Sequence, residues 1–285
     1  MTSNMGHKGQ AVAGLSAGVW GNLPVKNWAV GLGGQFRLVK ADGLDMQDDG
    51  AAWADGTTNL GMKSEQGAGS TIVVASDVSK THNVSVIQLT NDGGDGDDCS
   101  LASALPVINI ASGAGRWAFE ARIHPSSVAN NEISTFVGLT ATAGAAASTL
   151  TATDLTASVL AGFFIDEADG DDLRAVVSDG TGAGVANMNI STDNKYVLGS
   201  ADFYNIGAVY DGERIKFFVS GIKSGESTAK SVLLHTVSEG ESEFPSTATS
   251  ANRCYFEMSA EAGVGGSASN LGIEWFAYGQ EHVDF

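Results

Sequence analysis

The chain has little cysteine, little proline and no long apolar run, and each shortage excludes a class of protein. Its 285 residues include two cysteines, Cys99 and Cys254, too few for a disulfide framework or a zinc site, so we expect two independent free thiols. The longest apolar stretch, residues 159–165, is far too short to cross a bilayer. Residues 1–20 lack the charged start and sustained apolar run of a secretory signal. We therefore expect a soluble protein without a membrane anchor.

Basic residues are also scarce, at 15 against 33 acidic ones, and the formal charge of −18 disfavours nucleic acid as a partner. Their distribution is uneven, because residues 1–40 carry four basic residues and no Asp or Glu. The rest of the chain therefore carries −22, which is −18 minus the leader's +4. This contrast predicts a leader that docks on an acidic surface, and the alternative is a flexible tail with solvated lysines. The four basic residues are Lys8, Lys26, Arg37 and Lys40.

Glycine is abundant, at 37 residues, and together with many alternating apolar segments it predicts short strands joined by tight turns. In residues 116–123, Trp117, Phe119 and Ile123 point one way while the charged residues point the other. Asp211-Gly212 separates two such segments, which predicts a hairpin with a type I′ turn. Residues 159–165 and 173–178 predict a second hairpin. At least ten strands follow in this way, so the expected fold is an all-β sandwich or barrel.

The first 67 residues differ from the rest. Their apolar residues come singly or in pairs, yet they include Trp20, Trp28 and Trp53, and disordered segments are usually poor in aromatics. We predict that residues 1–67 form an extended N-terminal arm that becomes ordered against a partner, with one strand near 35–40. Residues 68–285 are predicted to form the β-sandwich domain.

Six short segments, taken in order, carry a family resemblance: residues 95–98, 106–110, 116–122, 136–139, 161–165 and 206–221. Together they resemble the concanavalin A-like (LamG-like) jelly roll, in particular the versions in virion proteins of tailed bacteriophages. The resemblance covers about residues 70–285. It implies two antiparallel sheets packed face to face, one of them concave, with inward apolar residues alternating with outward polar ones. The residues that it implies in the core are Trp117, Phe119, Ile123, Ile215, Phe217 and Val219.

No catalytic residues are identified. Hydrolases of this superfamily carry paired carboxylates on one strand as Glu-x-Asp-x-Glu, and no such motif is present. Glu120 and Glu274 stand alone and are expected to be solvated strand residues. A Gly-x-Ser-x-Gly nucleophile elbow is also absent, and Gly31–Gly34 lacks the Lys-Ser/Thr of a phosphate loop. We expect a non-enzymatic protein, although a hydrolase with an unrecognised site stays an alternative.

Metal and sugar sites are the remaining chemistry. Two acidic clusters supply oxygen ligands of the kind that Ca²⁺ takes, but neither has helix–loop–helix spacing, so acidic hairpin tips are the favoured interpretation. The five histidines are scattered, and His124 is expected at a turn. No metal or cofactor is expected. For a sugar site, Tyr204, Tyr210 and Phe218 are the candidates for an exposed aromatic face, although ordinary packing with satisfied hydroxyls is the favoured interpretation of the tyrosines. The acidic clusters are Asp92, Asp95, Asp97 and Asp98, and Asp166, Glu167, Asp169, Asp171 and Asp172.

The resemblance implies a structural virion protein, most simply a capsid decoration (cement) protein on the capsid exterior. The leader would attach it to the major capsid protein or to other copies of the chain, in a homo-oligomer for which a trimer is one arrangement. Trp20, Trp28 and Phe36 would be its apolar anchors. Nucleic acid and membrane are not expected partners. The alternative is a carbohydrate-binding module of a phage tail or adhesion protein, with a host-surface glycan as partner.

Overall fold

The computed structural model describes residues 15–20, 23, 36–42, 53–56, 58–59, 61–67, 69–76, 85–94, 97–142, 158–180, 195–199, 202–245, 252–263 and 269–281. These residues form β-strands almost throughout, with one short helix, α1 (Ala17–Trp20), and one 3-10 turn at Glu167–Asp169. The described strands are β1 (Phe36–Asp42), β2 (Thr58–Asn59), β3 (Met62–Gln66), β4 (Thr71–Ser76), β5 (Ser85–Asn91), β6 (Asp98–Ser103), β7 (Ile108–Asn109), β8 (Trp117–Pro125), β9 (Ile133–Thr140), β10 (Val159–Ile165), β11 (Asp172–Asp179), β12 (Lys195–Val197), β13 (Tyr204–Tyr210), β14 (Arg214–Gly221), β15 (Lys230–Ser238), β16 (Arg253–Ala262) and β17 (Ser269–Glu281).

The strands form two antiparallel sheets, as predicted. Sheet A has the order β15-β14-β13-β8-β17-β5-β4, with β1 also paired to β17. Sheet B has the order β12-β11-β10-β9-β16-β6-β3-β2, with β7 also paired to β16. About half of the strand pairs, 8 of the 15 described, join strands that are not consecutive in sequence, so the fold depends on long-range pairing as well as on hairpins. The predicted hairpin of β10 and β11 is confirmed.

The core lies between the two sheets and is rich in aromatic rings. Phe119 of sheet A meets Phe163 of sheet B edge to face, with ring centroids 6.3 Å apart, and lies 5.9 Å from Phe256. The ring centroids of Phe163 and Phe217 are 5.5 Å apart. Aromatic pairs at this spacing add to the stability gained from apolar burial. All six residues predicted in the core are buried there, which confirms the alternation on which they were assigned.

The hairpin of β13 and β14 is also confirmed, but its turn differs from the prediction. Gly212 has φ +107°, whereas Asp211 does not have a positive φ: Asn131 is the one described non-glycine residue that does. A type I′ turn needs positive φ at both central residues. The Asp211 side chain instead accepts hydrogen bonds from the backbone N–H groups of Glu213 and Arg214, at 3.1 and 2.9 Å. The carboxylate closes this turn in place of the I′ geometry.

The described parts of residues 1–67 lie against the sandwich. The strand predicted near 35–40 is β1, which pairs with β17 along its whole length. Strand β3 pairs with β6 in sheet B, and α1 packs on the face of sheet A that is turned away from the core. The division of the chain between residues 67 and 68 stays a prediction, but β1 and β3 belong to the two sheets.

Candidate functional site

The face of sheet B that is turned away from the core carries an unusual set of buried side chains. On β16, Phe256 and Met258 point into the core, so alternation turns Glu257 and Ser259 to the other face. Both are fully buried there. Buried residues from β6, β9 and β10 lie on the same face. We call this group the sheet B site; its members are Ser100, Phe136, Phe164, Glu257 and Ser259.

Strand register brings most of this site into one row across the sheet. Ser100 is paired with Ser259, and Ser259 is paired with Phe136. Phe136 is in turn paired with Phe164, whose partner on β11 is Arg174. Side chains directly opposite each other on neighbouring strands lie about 4.5–5.5 Å apart at Cβ. Ser100 is also paired with Glu65 of β3, so the row runs from a carboxylate, over two hydroxyls and two aromatic rings, to a guanidinium group.

Two glycines make room for the first of these rings. Gly138 and Gly162 are paired on β9 and β10, beside Phe136 in sequence and in space. A Cβ on Gly162 would lie 2.6 Å from the Phe136 ring, and a Cβ on Gly138 would lie 3.1 Å from it. The ring thus covers the backbone of both glycines. Glu257 is paired with Gly138 and so stands next to this ring.

The polar groups of the site are buried without full hydrogen bonding. The hydroxyls of Ser100 and Ser259 have no hydrogen-bond partner among the described residues, and neither is accessible to solvent. A buried hydroxyl that lacks a partner costs about 1–3 kcal/mol, and most such groups in native proteins are satisfied. Two of them side by side, near a buried carboxylate, are what a polar ligand would satisfy.

The acidic cluster at residues 166–172 serves the fold at the edge of this row. Asp166 caps the 3-10 turn by accepting from the backbone N–H of Ala168 at 3.1 Å. Arg174 lies 3.8 Å from Asp172 and 4.0 Å from Asp166, so these carboxylates balance a buried guanidinium. Among the described residues, no three His, Cys, Asp or Glu side chains are grouped to hold a metal ion.

The other acidic cluster lies between β5 and β6. Asp92 and Asp97 are hydrogen-bonded to each other, which raises the pKa of Asp97 and lowers that of Asp92. The two carboxyls therefore share a proton more readily than separate ones. Asp92 also accepts from the backbone N–H of Gly94 at 3.0 Å. Asp95 lies outside the described residues.

On sheet A, the structure overturns the interpretation of Glu120 as a solvated residue. Glu120 is 1% exposed, and the segment that contains α1 covers it. Its carboxylate accepts the indole N–H of Trp20 at 2.7 Å and the backbone N–H of Ser16 at 2.9 Å, and it also accepts the Ser16 hydroxyl. Burial raises the pKa of Glu120, and these hydrogen bonds partly oppose the shift. Glu120 holds the leader on the sheet.

Trp20, predicted as an anchor on a partner, is therefore buried in its own chain. It packs with Leu15, Val19 and Leu23 on the outer face of sheet A, against small and apolar residues of β8, β13 and β17. Gly207 leaves room for this contact, because a Cβ there would lie 2.8 Å from Val19. Trp28, Lys8 and Lys26 lie outside the described residues, as do the side chains of Phe36, Arg37 and Lys40.

Several other single-residue expectations need correction. Glu274 is not simply solvated, because it forms an ion pair with Arg122, which also donates to Asn205 at 3.0 Å. His124 lies within β8 rather than at a turn, buried with its ring 4.9 Å from that of Phe203. Cys99 and Cys254 are free, as expected, and both are buried.

The three aromatic residues proposed for a sugar face do not form one. Tyr204 and Tyr210 are buried in the core, and their hydroxyls are bonded to Gly199 and Glu239 respectively. Phe218 packs against the cluster around α1. The sheet B site was missed because its parts lie on separate strands. The paired glycines in Phe-Val-Gly-Leu and Ala-Gly-Phe-Phe were its one local signal.

Two solved structures with the same architecture are plant lectins. Peanut lectin in complex with a nine-residue peptide aligns with a TM-score of 0.51 and 15% identity, over 88% of this chain and all of the lectin. Winged bean acidic lectin in complex with methyl-α-D-galactose aligns with a TM-score of 0.52 and 11% identity, over 87% of this chain and all of the lectin. The sandwich is a concanavalin A-like jelly roll.

At these identities the likeness concerns the fold alone. No protein-family model and no curated protein matches the sequence. In the part of the chain that the structure describes, no helix is long and apolar enough to cross a membrane.

Proposed function

We propose that the protein is a carbohydrate-binding module and that the sheet B site holds the sugar. The observation that carries the proposal is the pair of buried hydroxyls of Ser100 and Ser259, beside Phe136 and Glu257, for which the described part of the chain offers no hydrogen-bond partner. Binding sites combine apolar and aromatic surface with a few polar groups that fix the ligand's orientation. A jelly roll of this shape takes a galactoside in winged bean lectin.

Each part of the site has a role that suits a saccharide. The Phe136 ring supplies a flat apolar surface for the C–H face of a pyranose ring. The Glu257 carboxylate accepts hydrogen bonds from sugar hydroxyls, which are stronger with an ionised acceptor. The two serine hydroxyls donate or accept as the ligand requires. A polyhydroxylated ligand would thus satisfy the two serine hydroxyls, which have no hydrogen-bond partner among the described residues.

Hydrolysis is not part of this proposal. A retaining glycosidase needs two carboxyls about 5–5.5 Å apart. The strand partners of Glu257 are Ala102 and Gly138, and its same-face neighbours on β16 are Tyr255 and Ser259. Among the described residues, no second carboxylate is paired with Glu257. Glu65, which is paired with Ser100, lies two strands away from Glu257 and forms an ion pair with Lys63, so we expect binding without turnover.

The site is buried in the folded chain, so we expect binding to require a conformational change. We expect slow association for this reason, because binding that requires a conformational change lowers the association rate.

A glycan array followed by calorimetric titration tests the proposal. We expect saturable binding by the wild-type protein, and a loss of about tenfold or more in affinity for Glu257→Gln and for Phe136→Ala. Glu213→Gln, at an exposed position on the hairpin of sheet A, is the matched control and should bind as the wild type does. Thermal unfolding must show that each variant folds. Failure of the wild type to bind any saccharide would refute the proposal. Site variants that bind the saccharide as tightly as the wild type does would refute it as well.

A structural role on a phage particle is the second candidate, and the acidic body with its basic leader favours it. As a capsid decoration protein on the capsid exterior, the chain would attach to the major capsid protein through leader residues other than those around α1. Deleting residues 1–14 leaves α1 and Trp20 in place, whereas a deletion of 1–40 also removes α1 and most of β1.

Mass spectrometry of purified particles would detect the chain and its stoichiometry to the shell protein. We expect a protein that lacks residues 1–14 and carries Lys26→Glu to lose attachment while the sandwich stays folded, because it has neither of the two basic leader residues outside β1. Absence of the chain from particles, or full attachment by this variant, would contradict this role.

A further inference from the structure

Strand β15 is the outermost strand of sheet A, and no described strand pairs with its free edge. Its first half is exposed, and two of the three exposed large apolar residues of the described chain are there: Val232, at 36%, and Leu233, at 51%. Edge strands of soluble proteins are usually short or covered, or they carry inward-pointing charges, because an open edge pairs with other chains. This strand has nine residues and presents two apolar side chains instead.

A β-bulge is the reason that Leu233 is exposed. Opposite the bulge, Phe217 pairs with His235 and Phe218 pairs with Leu233, so Leu234 is the additional residue. An uninterrupted strand would put Leu233 on the same face as His235, toward the core. The bulge turns it to the outer face, next to Phe218. Bulges in edge strands usually hinder pairing with other chains. This bulge instead exposes an apolar side chain at the edge of the sheet.

The two ends of β15 carry opposite charge. Lys230 begins the strand, and Lys223 lies nearby in an open cleft of about 380 Å³ that Leu233 also lines. Glu239 and Glu241 follow the other end and are exposed. Lys230 forms an ion pair with Glu226 at 2.8 Å, but Lys230 is 58% exposed, so this bond is weak and exchangeable. Basic residues are scarce in this chain, at 15 against 33 acidic ones, so two lysines at one end of an edge strand set that end apart from most of the surface.

We propose that β15 pairs antiparallel with β15 of a second copy of this chain. An antiparallel pair of identical strands is related by a two-fold axis, so the lysine end of each copy meets the acidic end of the other. Near the axis, Leu233 of both copies is buried on the outer face of the joined sheet and Val232 on the opposite face, because the two residues point to opposite sides of the strand. The two A sheets become one continuous sheet. The same edge is used on both sides, so the contact closes as a dimer and does not extend into a fibre.

Sedimentation velocity over a range of protein concentrations tests this contact. The wild type is expected to dimerise, and Leu233→Glu is expected to weaken the dimer about tenfold or more, because two carboxylates then face each other at the apolar centre. Leu105→Glu, which changes the third exposed apolar residue away from the edge, should leave the dimer unchanged. Because Leu233 is half exposed, the variant is expected to fold, and its thermal unfolding checks this. A monomeric wild type, a trimer, or a dimer that Leu233→Glu leaves unchanged would overturn the proposal.

The charge pattern provides a second, independent test. The dimer should weaken as the salt concentration rises, and the double variant Lys223→Glu, Lys230→Glu should weaken it further at low salt. Lys63→Glu is the control, because Lys63 lies partly exposed on sheet B, away from β15, and forms an ion pair with Glu65 there. If changing the two edge lysines weakened the dimer no more than changing Lys63, the proposed match between the lysine end of one copy and the acidic end of the other would be wrong.

Discussion

Trp20 donates its indole N–H to the carboxylate of Glu120 at 2.7 Å, and this bond joins residues one hundred positions apart. Trp20 comes from the leader, and Glu120 comes from the middle of a central strand of sheet A. The bond is buried on both sides, where the loss of either partner is costly. The leader around α1 therefore contributes to the stability of the sandwich.

Replacing Trp20 tests this contribution. Trp20→Phe keeps a large apolar ring but removes the donor, and it should lower the free energy of unfolding by about 1–3 kcal/mol because a buried carboxylate loses a partner. Chemical denaturation measures the change. Leu105→Ala, at a highly exposed position, is the control and should stay within about 0.5 kcal/mol of the wild type. If Trp20→Phe were as mild as the control, the leader would not be anchored as described.

The pKa of Glu120 makes stability depend on pH. Burial raises this pKa above the ordinary value of 4.5, so the folded state binds the proton more tightly than the unfolded state does. Protonated Glu120 therefore makes its full contribution to the free energy of unfolding below pH 4.5. This contribution falls as the pH rises through the raised pKa, and it does not change further at higher pH.

Glu120→Gln removes this titration while keeping a polar side chain at the position. Its free energy of unfolding relative to the wild type should therefore rise as the pH increases across that window, and denaturation at several pH values measures the difference. Parallel curves for the two proteins would show that Glu120 titrates as an ordinary carboxyl.

The core could be predicted from the sequence, because strict alternation on β8 and β14 is a local pattern that one strand carries by itself. The same pattern led to the wrong expectation for Glu120. Alternation assigns a residue to the face away from the core, but it cannot show that the face is covered. The cover here is a four-residue helix, α1, which is too short to leave a periodic signal.

The sheet B site could not be found for a related reason. Ser100, Ser259 and Phe136 become neighbours through the register of β6, β16 and β9, which are far apart along the chain. Register between distant strands depends on the whole fold. Aromatic residues are the local signal that sequence offers for a sugar site, but the two tyrosines with that signal, Tyr204 and Tyr210, are buried in the core.

Gly162 is expected to be essential for the position of the Phe136 ring. In Gly162→Ala the new Cβ would lie 2.6 Å from the ring and 2.8 Å from the carbonyl oxygen of Val137, so the strand or the ring must shift. We expect a loss of about 1–3 kcal/mol in the free energy of unfolding, as for overpacking in a core.

A double-mutant cycle with Phe136→Ala shows where the cost arises. The effect of Gly162→Ala should be smaller when the ring is absent, although the clash with the Val137 carbonyl oxygen remains. Equal costs in both backgrounds would mean that the ring does not lie over the glycines.

The two thiols are expected to be unreactive in the folded protein. Cys99 and Cys254 are buried, and burial raises the pKa of both above its ordinary value, so little thiolate is present at neutral pH. A thiol-specific chromogenic reagent should label neither residue under native conditions and both after denaturation. Rapid labelling of the native protein would contradict the packing around these residues.

A crystal structure of the protein with a saccharide selected on the glycan array tests the central claim most directly. The account predicts that the sugar lies on the outer face of sheet B, over the Phe136 ring and within hydrogen-bond distance of Glu257, Ser100 and Ser259. A sugar bound anywhere else, with these side chains unchanged, would contradict it.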